Sequence, residues 1–383
     1  MNIVKLSSEN YEEAAHLSMY AFQYELSAEE LEKQKKKMET QHILGIFEEG
    51  KLASKLHILP FEVYQHGKRI PMGGIASVSS YPEYRRKGHI RGLMTTALEV
   101  MKEKGQLFSY LHPFSIDFYR KFGWEIFSDT RNMTILRADL SIPESEGKIV
   151  RLHKGANHPD LQIIYETYAQ AYSGMLVREQ TWWRDRLQSW TPAIYYSSNG
   201  KPEGYLLYSV KESKMKVAEF MPLSHEARKG LWAFIGQHDS MVEKVEISTS
   251  LSEPLPYIMK NPRVQMEVFP YFMARIVDVE QYLQQFAWSA NVHTPIKLRV
   301  KDPVAPWNHG IFELTEDGVR KVVADSNEEK VIELTINQLS ALMLGYKTVK
   351  ELAEVEAIQG NQAELAQLES IIPNQSTYFP DFF

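Results

Sequence analysis

Two hydrophobic periods alternate along this 383-residue chain, and the changes between them divide it. Tyr11, Ala14, Leu17 and Ala21 fall on one helical face, with Ser8 as a candidate cap. The stretch HILGIFEEGKLASKLHILPFEVYQHGKRIPMGGIASVSS (42–80) then carries apolar runs broken at Glu49-Gly50 and His66-Gly67, which predicts an antiparallel meander. After Gly88, apolar residues return at Ile90, Leu93, Met94, Ala97, Leu98 and Met101, the face of an amphipathic helix that Gly105 ends. LFSYLHPF (107–114) predicts one more buried strand.

A similar order recurs. Helical patterns over 155–190 precede a hairpin, AIYYSSNGKPEGYLLYSV (193–210), with Asn199-Gly200 at its turn. A strand near MKVAEFMPL (215–223), a helix from about Glu226 and the strand KVEISTS (244–250) follow. From about Asn291 the pattern changes to IKLRVKD (296–302), GIFELTEDG (310–318) and VIELTINQLSALMLGY (331–346), with one more amphipathic helix near 348–370. The expectation is an α+β protein of three units, 1–147, 148–288 and 289–383, packed tightly because no low-complexity linker separates them.

Composition changes this picture only by exclusion. Apolar residues at 44% and charged residues at 24% are an ordinary globular mixture. A net charge of -6 gives no general attraction to nucleic acid or to an anionic membrane. The lack of cysteine removes disulfides, thiolate metal sites and cysteine nucleophiles together, and no H-E-x-x-H or clustered carboxylate spacing suggests a metal. With no apolar run near the roughly 20 residues of a membrane span, the expectation is a soluble cytoplasmic protein.

Against this mild acidity, SVSSYPEYRRKGHIRGLM (77–94) stands out. Arg85, Arg86 and Lys87 run from a strand end into Gly88 and a helix, with Arg91 one turn on. A helix start offers unpaired amides and positive dipole, glycine admits close approach to the backbone, and the cations add charge-assisted hydrogen bonds, so a pyrophosphate fits. A charge run alone more often marks a solvated turn, but its place between strand and helix favours the cradle. It matches neither the P-loop nor the G-x-G-x-x-G spacing. HEARKGLW (225–232) is its nearest counterpart in the second unit.

Arg85-Arg86-Lys87-Gly88-His89-Ile90 resembles the R/Q-x-x-G-x-G/A turn of GNAT N-acetyltransferases, departing at Ile90 where the family has a small residue. SIDFYRKFGWE (115–125) is similar to a later segment of that family. The whole layout resembles the enhanced intracellular survival (Eis) family, with an active GNAT unit, a degenerate second one and a sterol-carrier-like third. FPYFMARIVDVEQYL (269–283) and the aromatic tail YFPDFF (378–383) add to the likeness.

The resemblance implies a cofactor site at Val78, Ser79, Ser80, Arg85, Arg86, Lys87, Gly88, His89, Ile90, Arg91 and Ser115, with acetyl-CoA as co-substrate and no metal. It implies Tyr119 as general acid and the α-carboxylate of Phe383 as the group assisting amine deprotonation. Tyr119 could instead be a buried structural tyrosine, and the tail merely docked. The acceptor implied is a primary amine of an aminoglycoside-like molecule or of a lysine on a peptide or protein, and the assembly implied is a homo-oligomer, a hexamer. A non-catalytic CoA- or lipid-binding regulator on the same scaffold is the alternative. His89 is expected to face cofactor or solvent, His112 to be a core residue, and Trp182-Trp183 to line a domain interface.

Overall fold

The computed structural model describes residues 1–288, 290, 292, 294–323 and 330–383. The first unit contains β1 (Ile3–Lys5), α1 (Tyr11–Phe22), α2 (Ala28–Met38), β2 (His42–Glu48), β3 (Lys51–Gln65) and β4 (Lys68–Ser80). It continues through α3 (His89–Glu103), β5 (Phe108–Leu111), α4 (Ile116–Arg120) and β6 (Glu125–Leu136). Both residues of each meander turn, Glu49-Gly50 and His66-Gly67, have positive φ, the tight hairpin geometry that suits the strand twist. Leu93, Met94, Ala97, Leu98 and Met101 of α3 are buried against β2, β3 and β4, as their spacing predicts. At the first helix, Asn10 occupies the cap position of α1, preceded by a short turn over Ser8–Asn10 that Ser7 caps; Ser8 does not take that role.

The second unit contains β7 (Lys148–Arg151), α5 (Pro159–Gln170), α6 (Gln180–Leu187), β8 (Thr191–Tyr196), β9 (Pro202–Lys211), β10 (Lys214–Pro222), α7 (His225–Gly236), β11 (Lys244–Thr249), α8 (Leu255–Ile258) and β12 (Gln265–Ile276). The two units share one twelve-stranded mixed sheet in the order β1-β2-β3-β4-β5-β12-β6-β11-β10-β9-β8-β7. β12 crosses back to lie between β5 and β6, while the far edge of β6 pairs with β11. Strands separated by well over a hundred residues thus complete each other's ladders.

After α9 (Val279–Gln285), the third unit contains β13 (Ile296–Lys301), β14 (Gly310–Thr315), β15 (Gly318–Val322), β16 (Ile332–Thr335), α10 (Ile336–Met343), α11 (Val349–Glu354) and α12 (Gln362–Ile371). Its four strands form a separate sheet, ordered β15-β14-β13-β16. The single helix expected near 348–370 is two: the chain turns at Glu356, whose φ is 55°, and Gln359 pairs with Glu333 before α12 starts.

This unit braces the first. Asn337 of α10 donates to the carbonyls of Arg120 and Trp124, satisfying backbone acceptors at the end of α4. The fully buried Arg275 of β12 bonds both the Phe122 carbonyl and Asp302, under the positive-φ Gly123.

Candidate active site

β4 and β5 pair in parallel only from Met72↔Phe108 to Gly74↔Tyr110, after which residues 75–80 run on without a β5 partner. The same stretch is bulged against β3, where the register shifts between Lys55 and His57, and Ser77 takes a φ of 53°. The two strands therefore diverge into a splay that leaves main chain near Val78 open on one edge. Ser79 and Ser80 use their hydroxyls within the protein, on the Ser77 carbonyl at 3.2 Å and the Tyr81 carbonyl at 3.2 Å, so their backbone is what they can offer a ligand. Val78 packs its side chain on the core beneath α3.

At the mouth of the splay Gly88 occupies the N-cap of α3 with φ +83°. A Cβ there would meet only Met1 Cε at 3.8 Å, so the glycine supplies both a backbone turn other residues resist and an open approach. Arg85, Arg86, Lys87 and Arg91 are all exposed. Among the described residues none of these cations has a carboxylate partner; Lys87 and Arg91 lie only over the rings of Tyr84 and Phe122. The counterpart turn in the second unit differs. Arg228 is paired with Glu253 at 2.5 Å and Lys229 with Glu226 at 2.6 Å, and Gly230 is inside α7 beneath the Tyr195 ring. Its cations are already neutralised.

Two neighbours of the turn differ from expectation. The His89 imidazole is buried, with Nδ1 3.0 Å from Ser54 Oγ and Nε2 3.3 Å from Glu48, so only its main chain faces the turn. Ile90 is half-buried on the core of the first unit, which explains how a bulky side chain fits where a small one is usual.

Ser115 caps α4, accepting from the Phe118 amide at 3.4 Å. That short helix carries Tyr119, only 3% exposed, between the rings of Phe114 and Phe118. Its hydroxyl makes no hydrogen bond among the described residues, and burial pushes the phenol up to about 12.

The C-terminal tail reaches the same region from the far end of the chain. It pairs beside Ser173, whose amide bonds the Ser376 carbonyl and whose carbonyl accepts from Tyr378, and residues 174–177 in turn bond the edge of β3. Phe383 ends with its ring against Phe61, Phe272 and Gly74. Phe382 is exposed beside His112, which is itself exposed rather than a core residue and packs edge-on to Tyr271 and Phe272. Trp182 bridges Phe61 and the tail residue Asp381, whereas Trp183 lies in the core of the second unit.

Sequence reasoning missed Lys55. This side chain is fully buried, its Nζ 2.9 Å from His57 Nε2, 2.9 Å from Ser77 Oγ and 3.2 Å from the Ser77 carbonyl. Burial lowers its ammonium to about 7, and Ser18 of α1 closes the network on Ser77 at 2.8 Å. The bulge is thus pinned from below by a lysine that titrates near neutrality. A lysine amid an apolar strand was the only available signal.

An acetyltransferase (GNAT) domain family matches residues 2–127, a second acetyltransferase (GNAT) domain family matches 174–276, and a sterol carrier protein domain family matches 279–380. The N-acetyltransferase Eis of Mycobacterium tuberculosis is 24% identical over 331 residues, 81% of each chain. A solved Enterococcus faecalis protein, named a probable N-acyltransferase, is 30% identical with a TM-score of 0.91, covering 100% of this chain and 99% of its own. The chain belongs to the Eis family of GNAT N-acetyltransferases. Eis1 of Mycobacterium abscessus has the same fold, with a TM-score of 0.82 at 21% identity and full coverage of both chains.

GNAT acetyltransferases use acetyl-CoA and an amine acceptor. The splay, the open Gly88 and the unpaired cations fit an acyl pantetheine with a pyrophosphate. This Eis-family chain has no helix long and apolar enough to cross a membrane among the described residues.

Proposed function

We propose that the first unit transfers acetyl from acetyl-CoA to a primary amine of a cationic acceptor, an aminoglycoside-like molecule or a lysine side chain. Arg85, Arg86, Lys87 and Arg91 hold the pyrophosphate with the first amides of α3, at Gly88, His89 and Ile90. The main chain of Val78, Ser79 and Ser80 orients the acyl arm, with Ser115 across the splay. Bound there, acetyl-CoA supplies an activated acyl thioester.

Tyr119 holds the proton that the departing thiolate needs. Its raised phenol is fully protonated at neutral pH, and the unbonded hydroxyl loses no partner on giving it up. The α-carboxylate of Phe383 accepts a proton from the acceptor ammonium. A terminal carboxyl is a weak base in water, with a reference pKa of about 3.5, and the rings of Phe61, Phe272 and Phe379 pack on the Phe383 side chain beside it. The observation that carries this reading is the docking of the last residue over Gly74, where β4 and β5 part.

In this reading the second unit's neutralised turn leaves one cofactor site per chain, and the units run over 1–147, 148–288 and 289–383. The protein works in the cytoplasm as a homo-oligomer, a hexamer. Thiol release from acetyl-CoA, followed across aminoglycosides, polyamines and lysine peptides with an untagged C-terminus, tests the acceptor. Release with one class names it; no release from protein that binds acetyl-CoA overturns the reading.

A further inference from the structure

Tyr378 and Phe379 are buried, but beyond them Phe382 is 59% exposed and Pro380 and Phe383 are only half-buried. Asp381 is the exception. Its Oδ1 accepts from Arg178 Nε at 3.0 Å and Trp182 Nε1 at 2.8 Å and lies 2.9 Å from the Arg178 Nη2 charge, and its Oδ2 accepts from Arg178 Nε at 3.2 Å and the Tyr165 hydroxyl at 3.3 Å. Both lone-pair sides of the carboxylate are occupied.

Arg178 is fixed from its other side. Its Nη1 and Nη2 donate to the two oxygens of Glu219 at 3.1 and 2.8 Å, and its guanidinium lies 3.9 Å from the centre of the Tyr165 ring. Glu219 also accepts from Arg186 at 2.7 Å and from the Tyr205 hydroxyl at 2.6 Å. Burial alone would raise the Glu219 carboxyl, but Arg178 and Arg186 outweigh it and hold it below the usual carboxylate range. The side chains of Arg178, Glu219 and Asp381 are 0% exposed.

Such a buried ion cluster contributes little over a well-packed apolar one, yet breaking it strands a charge, so its value lies in fixing one arrangement. The arrangement fixed here is that of three distant segments: β10 through Glu219, the strand-like segment 173–178 through Arg178, and the tail through Asp381. Phe61 of β3 touches both Trp182 and Phe383, tying the cluster to the terminal ring. Two residues span at most about 7 Å, so seating Asp381 confines the chain terminus.

We propose that Asp381, seated by Arg178, is a positioning residue that sets where the α-carboxylate of Phe383 stands at the β4–β5 splay. The proposal rests on the reading above that this carboxylate takes part in turnover. Pro380 narrows the freedom of the link on one side, and the Phe383 ring on Gly74 narrows it on the other.

The test compares thiol release from acetyl-CoA, with kanamycin, spermidine and a lysine peptide as acceptors, for wild type, Asp381→Asn, a Phe383 deletion and the double variant. Asp381→Asn should lower kcat by about 10²-fold, keep the wild-type KM for acetyl-CoA, and add nothing once Phe383 is deleted. A single glycine inserted between Asp381 and Phe382 leaves every clamp contact in place but displaces the terminus. It should show the same loss at an unchanged melting temperature, and it carries the test if Asp381→Asn does not fold.

Wild-type kcat in either variant, with loss on deleting Phe383, overturns the positioning role and leaves the terminal carboxylate standing. An Asp381→Asn loss that persists in full in the deleted background also overturns it, marking a structural effect. Turnover that survives deletion of Phe383 overturns the carboxylate reading itself. No turnover by wild type with any of the three acceptors sinks the transferase reading from which both follow.

Discussion

The ring of Phe383 fills the space where a side chain on Gly74 would stand. A Cβ at position 74 would lie 2.8 Å from Phe383 Cε2 and 3.0 Å from Cζ. The last residue of the chain and the last β4–β5 pair are therefore fitted to each other. Gly74→Ala should push the terminal ring off the splay and lower kcat by roughly 10- to 100-fold, with acetyl-CoA affinity by calorimetry close to wild type. An unchanged kcat would separate the fit from turnover.

Tyr119→Phe removes a hydroxyl that bonds nothing among the described residues, so the melting temperature should stay put while kcat falls by about 10²- to 10⁴-fold. With the phenol raised to about 12, its acid form persists through ordinary alkaline conditions. The wild-type rate should accordingly show no loss of the acid between pH 8 and 10; a fall there that Tyr119→Phe abolishes would contradict the assignment.

Gly88→Ala forces an L-residue into a left-handed backbone at the start of α3, at a cost of about 1–2 kcal/mol. Its larger effect should be on KM for acetyl-CoA, raised about tenfold or more, because the methyl projects into the approach to the helix amides. Equal KM values would place the pyrophosphate elsewhere.

Lys55 should give stability a pH dependence of definite sign. Its native ammonium titrates near 7 and its unfolded one at about 10.4, so between these values the unfolded chain binds a proton the native chain lacks. Stability from this group rises with pH across that window, and the full cost of burying the charge falls below it. Relative to Lys55→Met, wild type should gain about 2 kcal/mol between pH 7 and 9, measured by urea unfolding of both proteins. A constant difference would mean that the amine is not neutralised on folding.

Local patterns were legible where one face of an element is apolar. The meander turns, α3 and the basic glycine turn all follow from neighbours within a few residues. α2 went unread because AEELEKQKKKM buries only Met38; the Ser27–Glu30 capping box was its one signal. The imidazole of His89 turned inward because Ser54 and Glu48 wait on β2 and β3, which no spacing within the turn discloses. Arg178, Glu219 and Asp381 are 41 to 203 residues apart in sequence, and nothing near any of them marks it as one of a set.

The return of β12 to the space between β5 and β6 also governs when the enzyme can exist during its own synthesis. The slot stays open while the ribosome adds the entire second unit, a wait on the order of ten seconds at ordinary elongation rates. Until then β5 and β6 present bare edges of the kind that recruit foreign strands. The splay gains its aromatic stopper later still, once the third unit is made and Phe383 can dock on Gly74.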